Sequence, residues 1–382
     1  MIGTLVVVAI VAAISGFYVG RATKSTAPAG AQPSWQPLPQ APIAGRVNEG
    51  VVWTGDEMLV WGGTTKSGST SDGAAYDPAK NTWHTIARAP ARFGGPAVWT
   101  GETAAAWTGN SPDGPAVGAV YDPKADRWHV LPAGPLGPRE GYAAVWDGKE
   151  LLIIGGARGD AQATPVAGAV DPTTGAWRVL HGLDKLVFFG GPNGAVWDGS
   201  EVLMTGNLSL CPEKGSACNS LRPTFVAYNP ATDAVRALKL PPLSADFGAD
   251  TAGSLKPIAW TGIEAIFTAS VPGSIRIFMY DPASASWKKG APGPCYIPPQ
   301  FTQTAWAGDQ FAAACGTDGL QLYVPKSETW STISPGPSPL NSRESSAIVW
   351  TGTDLVAWSG SADKRVSPNP LPDDGASLAL GG

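Results

Sequence analysis

Val51-Val52-Trp53-Thr54-Gly55-Asp56-Glu57-Met58-Leu59-Val60-Trp61-Gly62-Gly63 reads as two short apolar runs joined by a tight reversal. The x-Gly pair after Trp53 suits a hairpin turn, because Gly accepts the positive φ that such a turn requires. The second run, Met58 to Trp61, is apolar at every position. That pattern predicts a strand buried on both faces, as when sheets stack on one another.

The stretch is one copy of seven. Trp-x-Gly recurs at Trp53, Trp99, Trp146, Trp197, Trp260, Trp306 and Trp350, mostly 44 to 51 residues apart, with one gap of 63. A second signature follows six of them: Tyr76-Asp77-Pro78…Trp83, Tyr121-Asp122-Pro123…Trp128, Val170-Asp171-Pro172…Trp177, Tyr228-Asn229-Pro230…Val235, Tyr280-Asp281-Pro282…Trp287 and Tyr323-Val324-Pro325…Trp330. Its first and last positions are always seven apart, so a turn of fixed length separates a third strand from a fourth. Asp bonds back to its own backbone and Pro fixes φ, which makes Asp-Pro a turn starter. Insertions collect between the second and third strands.

A repeat of this length marks a unit that stacks on its neighbours. The seventh unit has Trp350-Thr351-Gly352 and a third strand at Gly375-Ala376-Ser377-Leu378, but no fourth strand after it. Ser34-Trp35-Gln36-Pro37-Leu38 resembles Thr82-Trp83-His84-Thr85-Ile86, and Trp35 precedes Trp53 by 18 residues, within the 16 to 20 that separate the other such Trp pairs. The expected fold is therefore an all-β, seven-bladed β-propeller. The N-terminal strand completes the last blade and removes the open sheet edges.

The recurring Gly-Gly, Tyr-Asp-Pro and Trp over residues 34–382 resemble the kelch repeat of the galactose oxidase central-domain-like superfamily. Blade 4 departs from the pattern with Val235 for Trp, and blade 6 with Cys315-Gly316 for Gly-Gly. Copper radical enzymes of that superfamily need two His, two Tyr and a crosslinked Cys. Here His84 and His129 follow rim Trp residues and His181 lies just beyond a third, so no copper site is expected. No His/Cys/carboxylate set has metal-ligand spacing and no Ser/His/Asp set or phosphate loop occurs, so neither metal nor cofactor is expected.

Ahead of the propeller, residues 1–20 form an apolar anchor or signal segment: Ile2 to Val19 is long enough to cross a bilayer as a helix. Residues 21–33 read as a flexible linker. Arg21 and Lys24 follow the apolar run, which by the positive-inside rule favours a cytoplasmic propeller. The cysteines point the other way. Cys211, Cys218, Cys295 and Cys315 are even in number and lack CxxC spacing, as expected of two disulfides in an oxidising compartment. The balance places the propeller outside the cytoplasm, membrane-anchored or secreted and monomeric. The net charge of −5 gives no reason to expect nucleic acid, which needs a basic face.

In an up-and-down blade, turns 1–2 and 3–4 lie on one face of the disc. The 2–3 loops and inter-blade links lie on the other, and variable loops on a rigid scaffold carry most binding sites. On that long-loop face Arg46, Arg92, Arg139 and Arg343 each stand seven residues before the Trp of a Trp-x-Gly. Glu49, Phe93, Glu140, Tyr142 and Glu344 accompany them. A half-ring of guanidinium groups binds carboxylate or phosphate by paired hydrogen bonds. The competing reading is that these Arg tie the blades together. The chain thus reads as a module binding a protein or glycan through the long-loop face. The alternative, by analogy with sialic-acid epimerases that resemble kelch propellers, is a mutarotase or epimerase using Arg and Glu at the channel mouth.

Overall fold

The computed structural model describes residues 34–107, 116–137, 139–158, 161–162, 166–184, 186, 188–209, 221–242, 254–271, 274–294, 304–314, 320–333, 343, 346–361 and 371–380. Residues 1–33, where the sequence leads us to expect an anchor and a linker, and all four cysteines lie outside the described residues.

Seven antiparallel sheets make up the domain, each with the strand order 1-2-3-4. Blade 1 is built from Gly50–Trp53, Met58–Trp61, Gly73–Asp77 and Thr82–Ile86. The innermost strands that follow it round the ring are Ala97–Trp99, Glu140–Trp146, Phe188–Trp197, Lys256–Trp260, Thr304–Ala307 and Ala347–Trp350. Each innermost strand contacts the next, and the last contacts the first, so the seven sheets form a closed ring.

Closure is made by the strand expected to make it. Trp35–Pro37 pairs with Gly375–Ala379 in the register Trp35↔Leu378, Gln36↔Ser377 and Pro37↔Ala376, and the Leu38 N–H donates to the Gly375 carbonyl at 2.9 Å. Trp35 then sits buried with Leu355, Ala357 and Leu378. Leu38, Ala41 and Ile43 fill the seam between blades 7 and 1.

The core lies between the blades. Met58, Leu59, Val60 and Trp61 are all fully buried, because one face of that strand packs on blade 7 and the other on blade 2. This is why the second strand of each unit is apolar without alternation. The Gly-Gly that follows has its own cause. The Phe93 carbonyl from the link to blade 2 approaches so closely that a Cβ on Gly62, at φ +67, would stand 2.1 Å from it, and the Gly63 N–H donates to that carbonyl at 2.7 Å.

The seven-residue spacing of the outer signature follows from one left-handed residue two before the Trp. Asn81, Asp126, Asp233, Ala285 and Glu328 have φ between +44 and +61, and Gly175 has φ +72. Where that residue is Asn or Asp, the strand-three Tyr hydroxyl donates to it: Tyr76 to Asn81, Tyr121 to Asp126 and Tyr228 to Asp233, at 2.7–2.8 Å. The strand-four Trp then reaches back to the preceding blade. Trp128, Trp177, Trp287 and Trp330 donate Nε1–H to the carbonyls of Ala87, Pro132, Lys239 and Ala291. Val235 cannot, so blade 4 lacks this tie, and in blades 1 and 7 the Nε1–H groups of Trp83 and Trp35 are buried without it.

Candidate functional site

The ring places the two ends of the channel in different chemical settings. At the long-loop end, three of the four arginines grip backbone. Arg46 is fully buried, and its guanidinium donates to the carbonyls of Ala44, Gly62 and Asp72 and pairs with the Asp72 carboxylate at 2.8 Å. Arg139, 1% exposed, donates to the carbonyls of Gly137, Gly155 and Val166. Arg343 donates to the carbonyls of Ser359 and Asp374 and pairs with the Asp374 carboxylate. The pattern is one clamp used three times. It joins the carbonyl just after strand two to the carbonyl just before strand three of the same blade. The carbonyl before strand three also accepts a backbone N–H, from Gly62, Gly155 or Ser359, so the guanidinium adds a second donor to it and ties it to the other carbonyl where the sheet ladder ends.

Arg92 is the exposed member of the set; of the two residues equivalent to the clamp carbonyls in blade 2, Thr108 lies outside the described residues and Val117, just before strand three, lies within them, and neither Arg92 nor Val117 is without a partner. Phe93 is buried and stacks on Trp128 at 5.6 Å. Tyr142 is buried, donates its hydroxyl to the Trp107 carbonyl at 2.7 Å, and burial pushes its phenol up. Glu140 opens the first strand of blade 3, opposite Ala157. Glu344 lies outside the described residues. Of the described members of the set, Arg46, Arg139, Phe93 and Tyr142 are buried in the protein rather than presented to a ligand.

Glu49 is the exception in this group. It is 9% exposed, neither carboxylate oxygen receives a well-formed hydrogen bond although the amides of Glu49 and Ala347 lie near, and the nearby Arg46 already pairs with Asp72. Burial raises its carboxyl from 4.5 to about 7, only partly offset by its own amide, by the Arg46 charge and by the Ala347 amide. On Asp72 partial burial acts in the same direction, but hydrogen bonds from Arg46 and Thr70 outweigh it and hold that carboxyl below 3.8.

At the opposite end, where the hairpin turns gather, the seven Trp-x-Gly tryptophans ring the channel. Each indole packs with a cluster shared by two blades and borders the lumen. Trp197 and Trp306 are buried at 8% exposure and the other five are half-buried. They line a cavity of about 370 Å³ together with Val51, Val98, Ala144, Ala195, Ile258, Thr304, Ile348 and their strand neighbours. Among the described residues, Thr304 is the one hydroxyl in that wall, and no titratable side chain of those residues lines it.

The rim around this mouth is acidic. Every first turn carries a carboxylate: Asp56 and Glu57, Glu102, Asp147 and Glu150, Asp198 and Glu201, Glu264, Asp309 and Asp354, against a single Lys149. Some are engaged locally. Asp147 and Asp198 accept the N–H groups of their own turns, while Glu150 and Glu201 pair with Arg178 and Arg236 on their own sheets. Asp56, Glu102 and Asp309 are exposed. A second cavity, of about 440 Å³, lies between the turns of blades 1 and 2, lined by Asp56, Glu57, Trp99, Glu102 and Lys124 among others. Trp99 borders both cavities.

Sequence reasoning used the seven Trp as repeat markers and looked for a site at the other face. The signal for this end was present in the recurring acid one or two residues after each turn glycine. Comparison with known proteins adds no relative: no family model matches the chain, and no curated protein is significantly similar to it.

Two outcomes follow from the long-loop end. Arg139→Ala removes the charged hydrogen bonds to the Gly137, Gly155 and Val166 carbonyls and lowers unfolding free energy by roughly 2–4 kcal/mol, read from denaturant melts. The second outcome concerns pH. Because burial raises the Glu49 carboxyl, the folded chain holds a proton that the unfolded chain releases near pH 4.5. The stability tied to that proton is fully present below pH 4.5 and is lost as pH rises through about 7. Glu49→Gln removes this loss, which amounts to about 3 kcal/mol at full ionisation. The stability difference between variant and parent therefore grows from pH 4 to pH 8, by about that amount.

Proposed function

We propose that this protein is a non-catalytic, kelch-type binding propeller, held outside the cytoplasm by its N-terminal apolar segment and engaging a protein partner. One observation carries the binding reading. The described channel wall is made of Val, Ala, Ile, Thr and Trp, which offer contact area rather than groups that move protons. At the other end, the arginines that an epimerase-like reaction would use are bonded to backbone carbonyls in three of four cases. Aromatic side chains presented by a rigid ring are the usual anchors of protein interfaces. The extracytoplasmic location draws on the apolar run Ile2 to Val19 and on the even number of cysteines.

Both halves of the proposal are open to test on the intact protein. Added to freshly dissolved anomeric sugars, the protein leaves the mutarotation rate seen by NMR equal to that of buffer. Acceleration would move the assignment to the enzyme alternative. In intact cells, a membrane-impermeant maleimide labels the four cysteines only after reduction. Labelling that needs permeabilised cells and no reductant would place the propeller in the cytoplasm.

A further inference from the structure

Resting on that binding reading, we propose that the tryptophan-ringed mouth and the acidic pocket beside it receive a basic segment of the partner protein, rich in Arg or Lys. Two cavities stand side by side at this end and share Trp99 as their common wall. The inner one offers seven indoles and an aliphatic wall. The outer one offers Asp56, Glu57 and Glu102 against a single Lys124.

A long cationic side chain suits this pairing. Its methylene stem packs on apolar surface while its charged head stays near water and carboxylates. A guanidinium or ammonium group over the face of a tryptophan ring, within about 6 Å of its centre, is further attracted by the ring's quadrupole. The molecule already uses that contact internally, with the Arg46 guanidinium 5.8 Å from the Trp358 ring.

Other classes of ligand fit less well. A nucleic acid or any polyanion would be repelled by the carboxylate rim. A metal ion needs several donors converging on one point, and no group of three His, Cys, Asp or Glu residues among the described residues is so placed. A sugar would bring several hydroxyls to a lumen whose described wall has one hydroxyl of its own, on Thr304. A small organic cation would meet one sector of the rim only. The exposed Asp56, Glu102 and Asp309 stand on the turns of blades 1, 2 and 6, so a chain carrying several cations is needed to meet them together.

Hexa-arginine is the probe, titrated into the full-length protein and followed by tryptophan fluorescence and calorimetry, with hexa-glutamate as control. Hexa-arginine binds, and its binding weakens as salt is raised. The variant carrying Asp56→Asn and Glu102→Gln, both at exposed turns, folds as the parent does and binds roughly tenfold more weakly. Absence of binding, equal affinity of the variant, or binding of hexa-glutamate overturns the proposal. A photo-crosslinking amino acid at Glu102 or at Arg92, used in cells, separates this proposal from the reading beneath it. Adducts from Glu102 that hexa-arginine suppresses support it. Adducts from Arg92 alone overturn it and leave a binding propeller that uses its other face. Adducts from neither position overturn both.

Discussion

The pairing of Trp35–Pro37 with Gly375–Ala379 is the constraint on which the other contacts depend. Every hydrophobic cluster in this protein is shared between adjacent blades, so no blade completes its core alone. An open ring would expose one side of blade 1 and one side of blade 7. Closing it with strand hydrogen bonds joins the two ends of the chain in one sheet and makes all seven interfaces equivalent. The seam is reinforced beyond the strand. The Ser359 hydroxyl accepts from the Arg46 N–H and donates to the Arg46 carbonyl, which also accepts from Gly360 N–H. Closure also explains the environment of Glu49, which lies where blade 1 meets the first strand of blade 7 and is shut off from water there.

The architecture was legible in the sequence because its signals are local and repeated. Turn glycines, a left-handed residue at fixed distance from a Trp, and a strand apolar at every position each have one physical explanation. The arginines were harder to read. A guanidinium that grips carbonyls and one that awaits an anion look alike in sequence. Yet the reach of the clamp recurs: Arg46 to Gly62, Arg139 to Gly155 and Arg343 to Ser359 are each 16 residues apart. That spacing runs from the inter-blade link to the end of strand two and marks a structural tie.

The tryptophan ring was obscured for the opposite reason. A residue at the inner end of a propeller strand belongs to the inter-blade core and to the channel wall at once. Periodicity reports the first role and is silent on the second. The net charge of −5 likewise hides where the charges lie, because acids concentrate in the hairpin turns while the buried arginines sit at the other end. Topology, more than composition, separates the two. Once the strands alternate in direction, every Trp-x-Gly turn must fall on one face.

This gives the disc two unlike ends. One is stitched together by buried arginines and bears the long loops. The other is aromatic within and acidic at its rim, and it offers the contact surface from which the binding role is inferred. Both rest on a closed ring, and hydrogen exchange of the Leu38 amide tests that closure most directly. If the N-terminal strand completes blade 7, this amide is protected to the same degree as the amides of Leu59 and Ile153 in the second strands of blades 1 and 3. Exchange at the rate of an open chain while those amides stay protected would contradict it, and the ring would have to be held by some other contact.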